Sequence, residues 1–513
     1  MSSLFMVIHH ARRRHVNEGP DGDVMCAGRY NAGMTMTSRL LLMGLAATVT
    51  VHVACATNPV TGKRELSLIS EAQEIQMGRE ASQADLKRVG ETASPDAQAL
   101  VRTIGKQIAA NSERPALPWE FHLLDDAAVN AFAYPGGFIF VTRGLMTHLN
   151  SEAELAQVIG HEVGHVTAKH SVSSMSKQQV TQIGLVAGSV LSDRVARYGN
   201  VLGTGAGLLF LKFGRDDEIQ ADELGFRYAL AQRYDVREAE KVFSTLARLS
   251  GEGGARVPEW ASTHPDPGNR AQLAHQKAAA LPADALANTK VNRNEFLRML
   301  DGMMFGDNPR LGYFRGTRFL HPDLRFEVTM PTGWKSVNLP EAVVSQSDDE
   351  TAQLQLMLGQ GSPAQVLQQF LGQEGITVTQ RGQTTINGLP AVTAAFDGQT
   401  EGGVIKGLTV ALQYDNATYL MVGLMTEAGA QKHSGVINGT MRSFRALTDA
   451  SLINVKGATV QLVTLPDAMT GQAFTQRYPS SVPADEIYII NGIQAGTNLP
   501  RGLVMKRVVG GIR

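Results

Sequence analysis

The segment Ile159–His170 reads IGHEVGHVTAKH and holds two histidines four residues apart, with a glutamate directly after the first. On a helix, positions i and i+4 share one face, so His161 and His165 can reach a single ion. Neutral imidazole suits zinc, and a catalytic zinc takes three protein ligands and keeps one position open. Glu162 stands one residue further round the helix, where it can reach water beside the ion without binding the ion itself. The pattern predicts metal-assisted hydrolysis with Glu162 as general base. A third ligand must come from elsewhere. The segment GRDDEIQADE offers Asp216, Asp217, Glu218, Asp222 and Glu223. Helical spacing groups Glu218 with Asp222 on one face, so that one could bind the ion while the other orients a ligating histidine. Spacing does not choose between them.

These residues need a scaffold. Ser151 with Glu154 three residues on predicts the start of the helix that carries His161 and His165. Ahead of it, WEFHLL reads as a strand and NAFAYPGGFIFVT as two strands about Pro135-Gly136-Gly137. Earlier still, Ser70 predicts an N-cap with Glu74 in the first turns, and a second helix covers about 96–111. RDDEIQADELGFRYALAQRY predicts a long helix for the second carboxylate cluster. IGLVAGSVL and GNVLGTGAGLLFLKFG are apolar but short of spanning length, and read as a packed helix pair.

HEVGH followed by EIQAD resembles the HtpX / CAAX-prenyl-protease / Oma-type family of gluzincin metallopeptidases. VNAFAYPGGFIFVTRGLM before the metal helix, STHP with Arg270 after it, and CATNPVTGKRELSLIS near Cys55 resemble further segments of that family, in the same order. The resemblance covers about 55–277. It implies zinc on His161, His165 and Glu218, with Asp222 supporting from behind, and peptide-bond hydrolysis as the activity. His264 and Arg270 are then the candidates to stabilise the oxyanion. A second role is open to His264, which as a further imidazole could occupy the open position until substrate arrives. His122, His148, His170 and His275 are expected to be ordinary histidines. A substrate is expected to add as a strand beside Asn130, Ala131, Phe132, Ala133 and Gly137. Such recognition reads backbone more than side chains and suits unfolded or misassembled polypeptides. An assembly factor or chaperone with secondary proteolysis is the competing reading.

The rest of the chain sets the context. Its 513 residues are too many for one ordinary core. A composition of 43% hydrophobic and 19% charged residues reads as globular, and a net charge of -1 argues against a nucleic-acid partner. The only cysteines are Cys26 and Cys55, too few for a disulfide framework. Arg39 precedes the apolar run LLLMGLAATVTVHVA, which ends at Cys55. This resembles a bacterial lipoprotein signal, implying export to the periplasm and a lipid anchor on Cys55 in the outer membrane.

From about Phe319 the pattern turns to strands, with an Asn387-Gly388 hairpin signal and a helix start at Ser362-Pro363. This region resembles the antiparallel α/β sandwich domains of some secreted and thylakoid proteins. The tail, TVQLVTLP then ADEIYIINGIQAGTNLPRGLVMKRV, predicts strand, helices and strand, and resembles a degenerate LysM module. A peptidoglycan-binding role and a purely structural cap both stay open, because PDAMTGQAF replaces the usual Gly-Asp-Thr turn. The expected class is α+β: a mainly helical gluzincin domain with a small sheet, a small α/β sandwich-like domain and a LysM-like βααβ module. The expected boundaries are a leader over 1–54, the protease over 55–280, a helical linker over 281–318, the sheet domain over 319–447 and the tail module over 448–513.

Overall fold

A computed structural model describes residues 55–188, 213–250, 260, 264, 267–400 and 403–512. The leader and most of the two Gly-rich apolar stretches, including the expected helix pair, lie outside the described residues. Among the described residues no helix is long and apolar enough to cross a membrane. The fold is α+β, with a helical region that carries His161 and His165 followed by a sheet-rich one.

The chain begins with the short antiparallel pair β1 (Cys55–Thr57) and β2 (Arg64–Leu66). Helix α1 (Glu71–Arg88) starts at Ser70 in a full capping box. The box closes with Gln73, three residues after the cap, while Glu74 turns inward to accept from Arg114 at 2.7 and 2.9 Å. Helix α2 (Pro95–Ala110) buries Ala97, Val101, Ile104 and Ile108, the one-sided stripe of a helix laid on a core. Strands β3 (Glu120–Leu124), β4 (Ala131–Tyr134) and β5 (Phe138–Thr142) form a sheet in the order β3-β5-β4. β3 runs parallel to β5 and β4 antiparallel to it, which leaves β4 at the edge. The β4–β5 turn needs Gly136 and Gly137, both with positive φ (82° and 106°).

Helix α3 (Arg143–His148) leads into α4 (Glu152–Thr167), the helix that carries the paired histidines. The Ser151 hydroxyl accepts from the Glu154 N–H at 3.1 Å. The Glu154 carboxylate reaches one residue past the cap and accepts from the Asn150 N–H at 2.7 Å. From Ala153 to Thr167 every residue of α4 is buried, so this is a central helix and not a surface one. α5 (His170–Gly188) follows a break at Lys169, whose φ is 61°. α6 (Arg215–Ala231) then crosses α4 at glycine contacts. A Cβ on Gly160 would sit 3.0 Å from the Gly225 Cα, and one on Gly225 would sit 2.7 Å from the His161 nitrogen. Such an approach is closed to any side chain. It seats Glu218 and Asp222 against the histidines. α7 (Glu238–Ser250) and α8 (Pro267–Ala279) pack together beside this pair.

The stretch 281–318, read from sequence as a helical linker, holds one α-helix, α9 (Arg293–Leu300), and a single 3-10 turn at Pro309–Leu311. After α9 it turns to strand at β6 (Met304–Phe305) and β7 (Tyr313–Arg315). β8 (Arg318–His321) and β9 (Phe326–Thr329) follow β7 in one antiparallel sheet, apart from β6. Next come β10 (Lys335–Asn338), β11 (Val343–Gln346), β12 (Ala352–Gly359), β13 (Ile376–Ile386), β14 (Leu389–Thr400), β15 (Gly403–Tyr414) and β16 (Ala417–Thr426). These make an antiparallel seven-stranded sheet in the order β10-β11-β12-β16-β15-β14-β13. Its helices are α10 (Pro363–Leu371), capped by Ser362, and α11 (Glu427–Arg442). Asn387 and Gly388, with φ of 48° and 86°, make the β13–β14 turn, as the Asn-Gly pair predicted. Phe319, Phe326, Leu354, Met421 and Phe444 form a separate apolar core here.

β17 (Arg445–Ala446) and α12 (Ala450–Ile453) lead to the tail: β18 (Ala458–Thr464), β19 (Met469–Thr470), α13 (Gly471–Arg477), α14 (Ala484–Ile490), β20 (Asn498–Leu499) and β21 (Val504–Gly510). β18 pairs antiparallel with β21 and, on its other side, with β6. The order strand, two helices, strand follows the sequence reading. The packing was not foreseen. Val460, Phe474, Ile487, Ile490, Met505 and Val508 belong to the same apolar cluster as Ile104, Ile159 and Val163 of the helical region. Lys506 is fully buried, and its ammonium donates to the carbonyls of Thr147 at 2.9 Å and Leu149 at 2.7 Å.

Candidate metal centre

His161, His165, Glu218 and His264 are all buried and bring four possible ligand atoms within 4.8 Å of one another. His161 Nε2 lies 2.9 Å from His165 Nε2 and 3.3 Å from His264 Nδ1. Glu218 Oε1 lies 2.9 Å from His264 Nδ1 and 3.5 Å from His165 Nε2, and Glu218 Oε2 lies 3.6 Å from His161 Nε2. A tetrahedral zinc with ligand bonds of about 2.0–2.1 Å has edges of about 3.3–3.4 Å. The separations bracket that value. Glu162 Oε1 is buried without a hydrogen-bond partner among the described residues, as an oxygen serving a reacting water would be, and Glu218 Oε2 has an ion pair with Arg270 but no hydrogen bond. The donor set therefore fits zinc, with three imidazoles and one carboxylate around one point.

Burial shapes the charge states. It pushes His161 down to about 4, against the opposing hydrogen bond from Asp222, and pushes His165 well below the ordinary histidine value. Both rings are thus neutral at physiological pH, the state in which imidazole binds metal. Burial acts to raise Glu218, but His264, His161 and Arg270 outweigh it and hold the carboxylate below its usual range. Asp222 is held at about 2, where Arg270 and His161 overcome burial. Burial pushes Glu162 up to about 7, with Glu218 adding to the rise and His264 opposing it. A carboxylate poised there can accept and return a proton near neutrality.

The supporting residues are specific. Asp222 Oδ1 lies 2.9 Å from His161 Nδ1, so that nitrogen carries the proton and Nε2 faces the ligand cluster. Arg270 donates to both oxygens of Asp222, at 2.8 and 2.7 Å, and its Nη1 lies 3.1 Å from Glu218 Oε2. Its guanidinium also lies over the Phe243 ring, 4.4 Å from the centroid. Expected as an oxyanion donor, Arg270 is instead engaged with the two carboxylates. His264 stacks on Trp260 with centroids 4.2 Å apart, and its Nε2 lies 3.7 Å from Glu162 Oε1.

Among the residues expected to meet substrate, Phe132 and Ala133 are half-buried on the edge strand β4, which packs against α4, while Asn130 and Ala131 are buried at its start. Gly137 sits in the turn, where a Cβ would lie 3.2 Å from the Trp119 ring, and so belongs to the packing of the hairpin. His122, His148 and His275 pair elsewhere, with Glu91, the Gly144 carbonyl and Glu240. His170, expected to be ordinary, is not: its Nδ1 lies 2.9 Å from His165 Nδ1 and its Nε2 lies 2.8 Å from Gln220 Oε1. Helical spacing could not find it, because the break at Lys169 turns the chain back. Trp260 was missed for a similar reason, lying outside every motif.

Residues 95–278 match Peptidase family M48. Over 209 residues, 40% of this chain and 41% of that protein, the chain is 34% identical to mitochondrial metalloendopeptidase OMA1 of Arabidopsis thaliana. It is 28% identical over 236 residues to the beta-barrel assembly-enhancing protease of Escherichia coli (strain K12), covering 43% of this chain and 47% of that protein. The corresponding protease of Yersinia pestis is 28% identical over 199 residues, 37% of this chain and 40% of that protein. The chain thus spans about two fifths of the length of the first of these relatives. Cyanobacterial PsbP (CyanoP) from Synechocystis sp. PCC 6803 is a structural neighbour at a TM-score of 0.23 and 13% identity, covering 26% of this chain and 94% of that one.

Proposed function

Residues 95–278 form a peptidase family M48 domain, and from that premise we propose that this chain is a zinc-dependent metalloendopeptidase that cleaves unfolded or misassembled polypeptides. The observation that carries the reading is the convergence of His161, His165, Glu218 and His264 on one point, with the orphaned oxygen of Glu162 beside it. Zinc held by this set supplies Lewis acidity, polarising a scissile carbonyl and making water a better nucleophile. Glu162 takes the water's proton at its carboxylate and returns it to the leaving amine. Arg270 holds Glu218 and Asp222 in place, and Asp222 fixes the His161 tautomer. His264 supplies a fourth donor atom, which favours its role as a group that must withdraw before a substrate carbonyl approaches. β4, at the edge of its sheet among the described residues, is the strand beside which an extended peptide would add, with Phe132 and Ala133 alongside.

The setting proposed for this activity is the bacterial envelope, as protein quality control. Export to the periplasm, a lipid on Cys55 that anchors the chain to the outer membrane, and a tail module in contact with peptidoglycan would hold the enzyme near assembling envelope proteins. Fatty-acid labelling of wild type against Cys55→Ala, and retention of the whole chain on purified sacculi, decide these two points. Unlabelled, unretained protein leaves a plain exported enzyme.

The test of the chemistry is Glu162→Gln. The purified variant is expected to keep its zinc and to lose roughly 10²–10⁴-fold in cleavage of an unfolded protein such as casein. Near-wild-type turnover with full zinc would overturn the mechanism. Full rescue of an envelope defect by the same variant would favour the chaperone reading.

A further inference from the structure

The two helix histidines face the same point but are held from behind by different devices. His161 is backed by a carboxylate, Asp222. His165 is backed by another imidazole: its Nδ1 lies 2.9 Å from His170 Nδ1, and both rings are buried. One proton lies between those two nitrogens. If it sits on His165, the Nε2 of His165 is bare and can bind a metal. If it sits on His170, a neutral His165 carries its proton on Nε2 and cannot. The far side of His170 decides which. Its Nε2 lies 2.8 Å from Gln220 Oε1 and 3.8 Å from Asp217 Oδ1. An amide oxygen and a carboxylate only accept, so His170 Nε2 carries a proton. The Gln220 amide, with its oxygen toward the ring, sets this polarity; Asp217, at 3.8 Å too far for a hydrogen bond, favours it by charge alone. His170 Nδ1 is then an acceptor, and His165 Nδ1 donates to it.

We propose that His170 and Gln220 are positioning residues for the zinc ligand His165, forming a hydrogen-bond relay, Gln220–His170–His165, that fixes the metal-binding tautomer. The inference rests on the zinc reading of the site. It assigns a role to a histidine outside the HEVGH motif and to a glutamine between Glu218 and Asp222. Packing supports the relay. Lys169, with its positive φ, turns the chain so that His170 opens the next helix facing back toward His165. Phe213 stacks on the His165 ring with centroids 4.1 Å apart and limits its rotation. His165 is thus backed directly by an imidazole, whereas His161 has the Asp222–Arg270 ion pair behind it.

The experiment measures zinc affinity by competition with a chromophoric chelator, together with the visible spectrum of the cobalt-substituted full chain. His170→Leu removes the acceptor and is expected to weaken zinc binding about 10–100-fold and to alter the cobalt bands. His170→Asn returns an acceptor oxygen near the position of Nδ1 and is expected to restore affinity to within a few-fold of wild type. Equal affinity of His170→Leu and wild type overturns the relay, as does a His170→Asn variant as weak as His170→Leu. If His170→Leu does not fold, the half-buried Gln220 decides. Gln220→Leu must bind zinc more weakly than Gln220→Glu, which keeps an acceptor, and equal affinities overturn the relay. A wild type that takes up no zinc overturns the functional reading, and the relay falls with it. A zinc-binding wild type with indifferent variants overturns the relay alone.

Discussion

Two buried polar clusters lie at opposite ends of α4, and they differ in what their atoms face. At the histidine end, the imidazole nitrogens of His161, His165 and His264 and the carboxylate of Glu218 turn toward one another, while a buried oxygen without a hydrogen bond occurs at both ends, on Glu162 here and on Glu154 at the other. At the other end, Lys506 donates to two backbone carbonyls, and Asn491 bonds both the N–H and the carbonyl of Lys506. Both clusters are deeply buried, and both shift charge: burial drives Lys506 down and Glu154 up, as it drives His161 down and Glu162 up. Burial and perturbed ionisation therefore do not single out a reactive site. Side-chain ligand atoms that converge on one point do, whereas a charge answered by main-chain carbonyls is holding two pieces of chain together.

The sharpest way to break this comparison is at the histidine end. Glu218→Ala, which leaves the three imidazoles, is expected to weaken zinc binding more than Asp222→Asn, which removes only the support of His161 and is expected to weaken it about 10–100-fold. Metal analysis after gel filtration measures both. A reversed order would mean that the two carboxylates have exchanged roles.

A smaller effect of a different kind is expected at the other end. Lys506→Met leaves the Thr147 and Leu149 carbonyls buried without their donor, a loss of about 3 kcal/mol in stability. Urea unfolding gives the size, and zinc stoichiometry is expected to stay at the wild-type value. Loss of zinc from a folded Lys506→Met protein would erase the distinction drawn between the two clusters.

The smallest effect is one of pH. Burial holds His148 down at about 4, below its unfolded value of 6.5, with the Gly144 carbonyl opposing the shift and Lys506 adding to it. A depressed histidine contributes stability that is complete above the unfolded value and is lost as pH falls through the folded one. Wild-type stability should therefore fall more steeply than that of His148→Gln between pH 6.5 and 4, by up to about 3 kcal/mol in total. Parallel curves for the two proteins would remove His148 from the account.

What could be read in the sequence follows the range over which each signal acts. His161, Glu162 and His165 were legible because helical spacing is local and strict. The Asn387-Gly388 turn and the Ser362 cap were legible for the same reason. Glu218 and Asp222 were visible as a pair, but the choice between them needed the family resemblance, since nothing local says which carboxylate meets the ion. His170 was not legible, because a left-handed residue at Lys169 destroys the helical phase that would have aligned it. Lys506 was not legible either. It sits in an alternating strand, where a lysine reads as solvated, and only the seating of the tail on α3 and α4 buries it.

The pairing of β6 with β18 has a further consequence. Phe305 lies opposite Ala458 and Met304 opposite Thr459, so the chain leaves this sheet and comes back to it at neighbouring positions. Everything between, including the whole seven-stranded sheet, is topologically an insertion hung from two adjacent points. Closing a flexible loop of roughly 150 residues would cost on the order of 4 kcal/mol in chain entropy. An inserted unit that folds first on its own core brings its two ends together and removes most of that cost. The order of folding is thereby written into the connectivity: the sheet unit first, then β6 onto β18, and with that pairing the seating of Lys506 beneath the metal helix.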